Sequence, residues 1–119
     1  MHVLICDDEA DVRTLFRIAF EAIGATVEEA CDGDECLTLA SKNAPDLVVL
    51  DLYMPHRDGL ATLPELRQQC PTCPVLVVSA QPAVEVFEAS RSRGATACFD
   101  KVSFVMRIPT VVERYCSVA

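Results

Sequence analysis

Two uninterrupted apolar runs, Leu47, Val48, Val49, Leu50 and then Val75, Leu76, Val77, Val78, constrain the fold of this chain more than any other feature. A strand with one face in water alternates apolar and polar residues. A strand covered by helices on both faces need not, so such runs mark the middle of a parallel sheet. Each run stops on a polar residue, Asp51 after the first and Ser79 after the second.

The flanking pattern supplies the other layers. Residues 3–6 form a short apolar strand closed by Asp7 and Asp8, after which Val12, Leu15, Phe16, Ala19, Phe20 and Ile23 recur at helical spacing. Gly24 stops that helix at the position after the C-cap, where a positive φ costs glycine little, and residues 26–30 follow as a second strand. A second helix over residues 33–43 carries Cys36, Leu37 and Ala40 on one face and breaks at Asn43, Ala44 and Pro45. Leu60, Leu63 and Leu66 mark a third helix, with Pro64 inside it and Pro71 and Pro74 at its exit. Pro82 suits the first turn of a fourth helix that runs to about Arg93 and closes at Gly94; residues 95–99 form a fifth strand, and Pro109 is expected to open the last helix, through Val112 and Tyr115. Strands alternating with helices in this way predict an α/β fold: a doubly wound, five-stranded parallel sheet in the order 2-1-3-4-5, sandwiched between helical layers.

At 119 residues the chain has the length of one domain with one core, and residues 1–119 are expected to form it. A net charge of −8 opposes binding to nucleic acid or an anionic membrane, and favours cations or basic partners. Without a long apolar stretch or a leader-like start, the chain is expected in the cytoplasm. The seven cysteines lack a framework spacing, and most read as reduced, buried, small apolar residues.

In a doubly wound sheet, ligands bind beyond the carboxyl ends of the strands, at the point where strand order reverses. Asp7 and Asp8 end the first strand, Asp51 the third, Ser79 the fourth and Lys101 the fifth, so polar side chains converge on one rim. Crowded carboxylates repel one another unless a hard divalent cation keeps them ionised. Mg²⁺ suits an incomplete oxygen cage that leaves positions open for phosphoryl oxygens. An ionised Asp51 beside such a cation can attack phosphorus, with Lys101 neutralising charge on the equatorial oxygens and Ser79 donating its hydroxyl.

These residues resemble the receiver domains of response regulators in two-component signalling, a flavodoxin-like family typified by the chemotaxis receivers. The likeness lies in Asp7 and Asp8, in the segment Asp51, Met54, Pro55, Asp58 and Gly59, and in Ser79 and Lys101, and it spans essentially the whole chain. It implies that Asp51 is the phosphoacceptor, that Asp8 and Asp51 ligate Mg²⁺ directly with Asp7 acting largely through water, and that the Tyr53 backbone carbonyl completes the protein's ligands. It implies a histidine kinase or phosphotransfer protein as phosphodonor, a downstream protein or output domain, and slow self-catalysed hydrolysis; a homodimer is compatible with it.

Two positions depart from the family. Three residues before the lysine, where relatives carry a switch Tyr or Phe, stands Cys98, and strand alternation sends Phe99 to the opposite face. Val102 follows Lys101 where proline is commoner, so the cis bond of relatives does not carry over to this chain by resemblance. The Cys98 substitution keeps open a second reading, a receiver-like docking module that works without phosphorylation. A haloacid-dehalogenase-type phosphatase would place an Asp where Tyr53 stands. Cys70 and Cys73 form a CxxC, but it follows a helix rather than opening one, and no second pair completes a metal site. His2 and His56 lie in unrelated segments, and Val84, Val86 and Phe87 are candidates for a partner surface on the fourth helix.

Overall fold

A computed structural model describes residues 1–54, 57–80 and 83–116. The elements are β1 His2–Cys6, α1 Ala10–Glu21, β2 Thr26–Ala30, α2 Gly33–Lys42, β3 Leu47–Asp51, α3 Gly59–Gln69, β4 Val75–Ser79, α4 Val84–Ser92, β5 Ala97–Asp100 and α5 Lys101–Tyr115. All strand pairs are parallel and their order is β2-β1-β3-β4-β5, as the sequence pattern requires. Pro55, His56 and Pro82, which the sequence reading assigns to the loop after β3 and the start of α4, lie outside the described residues.

Alternation along each central strand divides the apolar side chains between two cores. Leu4, Cys6, Val48, Leu50, Val75 and Val77 face α2 and α3, where Cys36, Leu37, Leu63 and Leu66 cover them. Val3, Ile5, Leu47, Val49, Leu76 and Val78 face α1 and α5, against Phe16, Phe20, Phe104, Ile108 and Val111. Phe104 lies edge-on to Phe16 with ring centroids 5.3 Å apart, and it also meets Phe99 at 5.3 Å. Each such ring, fully buried, is worth roughly 1.5–3 kcal/mol of transfer free energy.

Helix ends fall where local chemistry allows. Gly24 and Gly94 adopt φ of 91° and 111°. The residue after each donates back to the helix, Ala25 N–H to the Phe20 carbonyl and Ala95 N–H to the Ser90 carbonyl, which makes both glycines left-handed stops. Asp58 caps α3 by accepting from Ala61 N–H, and Asp100 caps α5 by accepting from Ser103 N–H.

Two expectations need correction. Pro109 does not open the last helix: α5 starts at Lys101, and Pro109 lies inside it. Burying Phe104, Ile108 and Val111 along one stripe outweighs the one backbone hydrogen bond that Pro109 removes. The fifth strand starts at Ala97 rather than at residue 95, since Ala95 is still engaged in closing α4. Pro64 likewise sits within α3, five residues beyond its start at Gly59.

Candidate functional site

The carboxyl ends of β1, β3, β4 and β5 form one rim. β1 runs straight into Asp7, whose N–H donates to the Ala30 carbonyl at 3.0 Å and continues the pairing with β2 by one residue. The Asp7 carbonyl accepts from Arg13 at 2.8 Å, and its Oδ1 accepts from Glu9 N–H at 2.9 Å. These bonds leave Oδ2 buried, with the Lys101 ammonium as its neighbour. Lys101 Nζ lies 2.8 Å from that oxygen and forms an ion pair with it.

Asp51 is the last residue of β3 and only 3% exposed. Its Oδ1 accepts from Tyr53 N–H at 3.3 Å, and its Oδ2 accepts from Lys101 Nζ at 3.2 Å. Lys101 reaches the site as the first residue of α5 and contacts Glu9 Oε1 at 3.1 Å as well. Asp8 is exposed beside the buried Asp7 and Asp51, and one carboxylate oxygen from each of these three residues lies within 4.8 Å of the others. Among the described residues this is the one group with the geometry to hold a metal ion.

Burial pushes the Asp51 carboxyl up to about 6, and the Asp7 charge adds to the rise; Lys101 and the Tyr53 N–H hold it back. Burial likewise raises Asp7, against the pull of Lys101 and the Glu9 N–H. For Lys101, burial opposes the charge, but Asp7, Asp51 and Glu9 together raise it above its ordinary value. The site therefore carries more negative charge than one ammonium can satisfy, and a carboxylate-rich oxygen set of this kind fits a hard divalent cation.

The sequence-derived residues are thus distributed as follows. Asp7, Asp8, Asp51 and Lys101 come together; Tyr53 adjoins them by donating its backbone N–H to Asp51, and its side chain is about half exposed. Ser79 is fully buried at the end of β4, beside β3, where Asp51 is in register with Val78. Sequence reasoning missed Glu9 and Arg13. An acid after two aspartates at a helix start reads as a capping residue, and an arginine in the first helix reads as a solvated charge.

Phe99 packs against Phe104 in the α1–α5 core while Cys98 lies in the opposite one, its thiol 3.7 Å from the Phe87 carbonyl of α4. The described residues contain no cis peptide bond. The CxxC is a core feature: Cys70 and Cys73 are buried, burial pushes the Cys73 thiol up to about 12, and it raises Cys70 as well. Thiols so protonated are poor nucleophiles and poor metal ligands. On α4, Val84 is exposed while Val86 packs against the core.

Comparison with known proteins agrees with this geometry. The model of the response regulator receiver domain matches residues 3–113. Response regulator MprA of Mycobacterium sp. (strain KMS) is 39% identical over 95 residues, covering 80% of this chain and 41% of that protein. The alkaline phosphatase synthesis transcriptional regulatory protein PhoP of Bacillus subtilis (strain 168) is 39% identical over 79 residues, 66% of this chain and 33% of PhoP. The chain thus spans about two fifths or less of the length of these relatives. Among solved structures, the receiver domain of NtrX from Brucella abortus superposes with a TM-score of 0.89 at 32% identity, covering 98% of this chain and 99% of that one. The chemotaxis protein CheY4 of Vibrio cholerae does so with a TM-score of 0.89 at 26% identity, covering 96% and 97%. This chain belongs to the response regulator receiver domain family.

Proposed function

We propose that Asp51 is the phosphoacceptor of a signalling switch, served by Mg²⁺ and by a histidine kinase or phosphotransfer protein as donor. The observation that carries this reading is Lys101 Nζ held 3.2 Å from Asp51 Oδ2 beside the three-carboxylate cluster. Asp8 and Asp51 would be the direct protein ligands, joined by the Tyr53 carbonyl, with Asp7 acting largely through water. Bound Mg²⁺ would neutralise charge on the site and on the incoming phosphoryl oxygens.

The chain's own residues supply the remaining chemistry. An Asp51 carboxylate oxygen forms a bond to phosphorus as the bond from phosphorus to the donor's leaving group breaks, and that group departs with the electron pair. Lys101 pairs with a phosphoryl oxygen and Ser79 donates its hydroxyl to another. The resulting acyl phosphate is slowly hydrolysed, which resets the switch. Phosphorylation biases the conformation of the distal surface toward a downstream protein, an output domain or a second copy of the chain. A cytoplasmic location fits these roles. A docking module that needs no phosphorylation is the second reading, favoured by Cys98 donating to α4 where relatives carry an aromatic switch residue.

Intact-mass measurement of wild type and Asp51→Asn with acetyl phosphate, with and without Mg²⁺, separates the two. A phosphoryl adduct that requires both Mg²⁺ and Asp51 supports the switch; no adduct together with no Mg²⁺ binding leaves the docking module.

A further inference from the structure

Lys101 Nζ has three N–H donors and three carboxylate neighbours: Asp7 at 2.8 Å, Glu9 at 3.1 Å and Asp51 at 3.2 Å. Two of those neighbours belong to the acidic cluster and Glu9 does not. Glu9 is the N-cap residue of α1, and its side chain is 63% exposed. Its backbone N–H is engaged separately, donating to Asp7 Oδ1, so the side chain can change without loosening the turn that orients Asp7.

The Lys101 ammonium is the protein's own cation at this site. A divalent ion arriving at Asp7, Asp8 and Asp51 must displace it from two of its three partners, and the ion also repels it. Of the carboxylates in contact with Nζ, Glu9 alone stays free to receive the ammonium. We propose that Glu9 is a positioning residue that holds Lys101 aside when a divalent cation occupies the cluster, and so raises the affinity of the site for Mg²⁺. This inference rests on the reading of the cluster as a Mg²⁺ site.

Glu9 could also act on Mg²⁺ simply as a nearby negative charge. A double-mutant cycle separates these routes, because a contribution that passes through Lys101 vanishes when Lys101 is removed. The probe is Mg²⁺ alone, titrated into the metal-free chain at fixed ionic strength and followed by amide chemical shifts, which also report whether each variant is folded. The variants are Glu9→Gln, Glu9→Asp and Lys101→Met, with Lys101→Gln as a second lysine replacement, and Glu9→Gln combined with each lysine replacement.

The expected result is that Glu9→Gln weakens Mg²⁺ binding about two- to fivefold in the wild-type background, the range of a half-exposed ion pair, and leaves it nearly unchanged when Lys101 is replaced. Glu9→Asp keeps the charge but withdraws it by one methylene, and it weakens binding as Glu9→Gln does. An equal effect of Glu9→Gln in both backgrounds, or a Glu9→Asp variant that binds like wild type, overturns the proposal and leaves the Mg²⁺ reading intact. Wild type that shows no saturable response to Mg²⁺ overturns the metal reading itself, and the proposal with it.

Discussion

Lys101 Nζ lies 3.2 Å from Asp51 Oδ2, with Lys101 9% and Asp51 3% exposed, yet this pairing does not bring the aspartate back to an ordinary carboxylate. Burial and the charge of Asp7 outweigh it and hold Asp51 at about 6. The folded state therefore binds the Asp51 proton more tightly than the unfolded chain does. Its contribution to stability falls as pH rises from about 4 to about 6 and is constant above that.

Replacing Asp51 with Asn removes that cost. In metal-free buffer at pH 7.5, Asp51→Asn is expected to be more stable than wild type by about 1–3 kcal/mol in urea unfolding, and the gap should close near pH 4. Saturating Mg²⁺ should stabilise wild type and leave the variant almost unmoved. A variant less stable than wild type at pH 7.5 would mean that the Lys101 pair, rather than burial, dominates.

Gly59 supports Asp51 from behind. A Cβ there would lie 2.4 Å from the Asp51 carbonyl oxygen and 2.8 Å from Leu52 Cα, backbone atoms that cannot yield without moving the end of β3. Gly59→Ala is expected to cost about 1–3 kcal/mol and to slow phosphoryl acceptance, checked by urea unfolding and by the rate of adduct formation. Unchanged stability and rate would show that the α3 start can retreat freely.

At the opposite end of the sheet, Arg67 donates to the carbonyls of Cys70 at 3.0 Å, Cys73 at 2.7 Å and Gly94 at 2.7 Å, joining the loops that precede β4 and β5. Arg67→Lys cannot reproduce that fork. It is expected to lose about 2–3 kcal/mol of stability while Mg²⁺ affinity, read by titration, stays at the wild-type value. A loss of Mg²⁺ affinity would mean that the two ends of the sheet are coupled.

How much of this was legible in the sequence depended on whether burial or local preference decided each element. The runs at residues 47–50 and 75–78 gave the central strands and the topology because a strand buried on both faces leaves an unmistakable apolar signature. The strand-end polar residues then gave the rim, since topology alone brings Asp7, Asp51 and Lys101 together. The start of α5 was not legible: proline is a strong local signal for a helix start, and only the packing of Phe104 and Ile108 against α1 and the sheet shows the helix running through Pro109. Glu9 and Arg13 were missed for a related reason. Their partners, Lys101 and the Asp7 carbonyl, are set by how β1 and α1 meet the rest of the fold, and nothing in the residue spacing marks them.

The cysteines test the same account of burial. Native-state alkylation at pH 8, mapped by peptide mass, is expected to label the exposed Cys31 first. It should leave the buried Cys6, Cys36, Cys70 and Cys73 unmodified until the chain unfolds. Early labelling of Cys70 or Cys73 would restore a thiol role to the CxxC.

The most direct test of the central claim is to locate the phosphoryl group. After reaction with acetyl phosphate and Mg²⁺, borohydride reduction converts an aspartyl phosphate to homoserine, and peptide mass spectrometry then reads its position. The account predicts homoserine at residue 51, absent when Mg²⁺ is withheld; reduction at residue 7 or 8 instead, or at no aspartate, would contradict it.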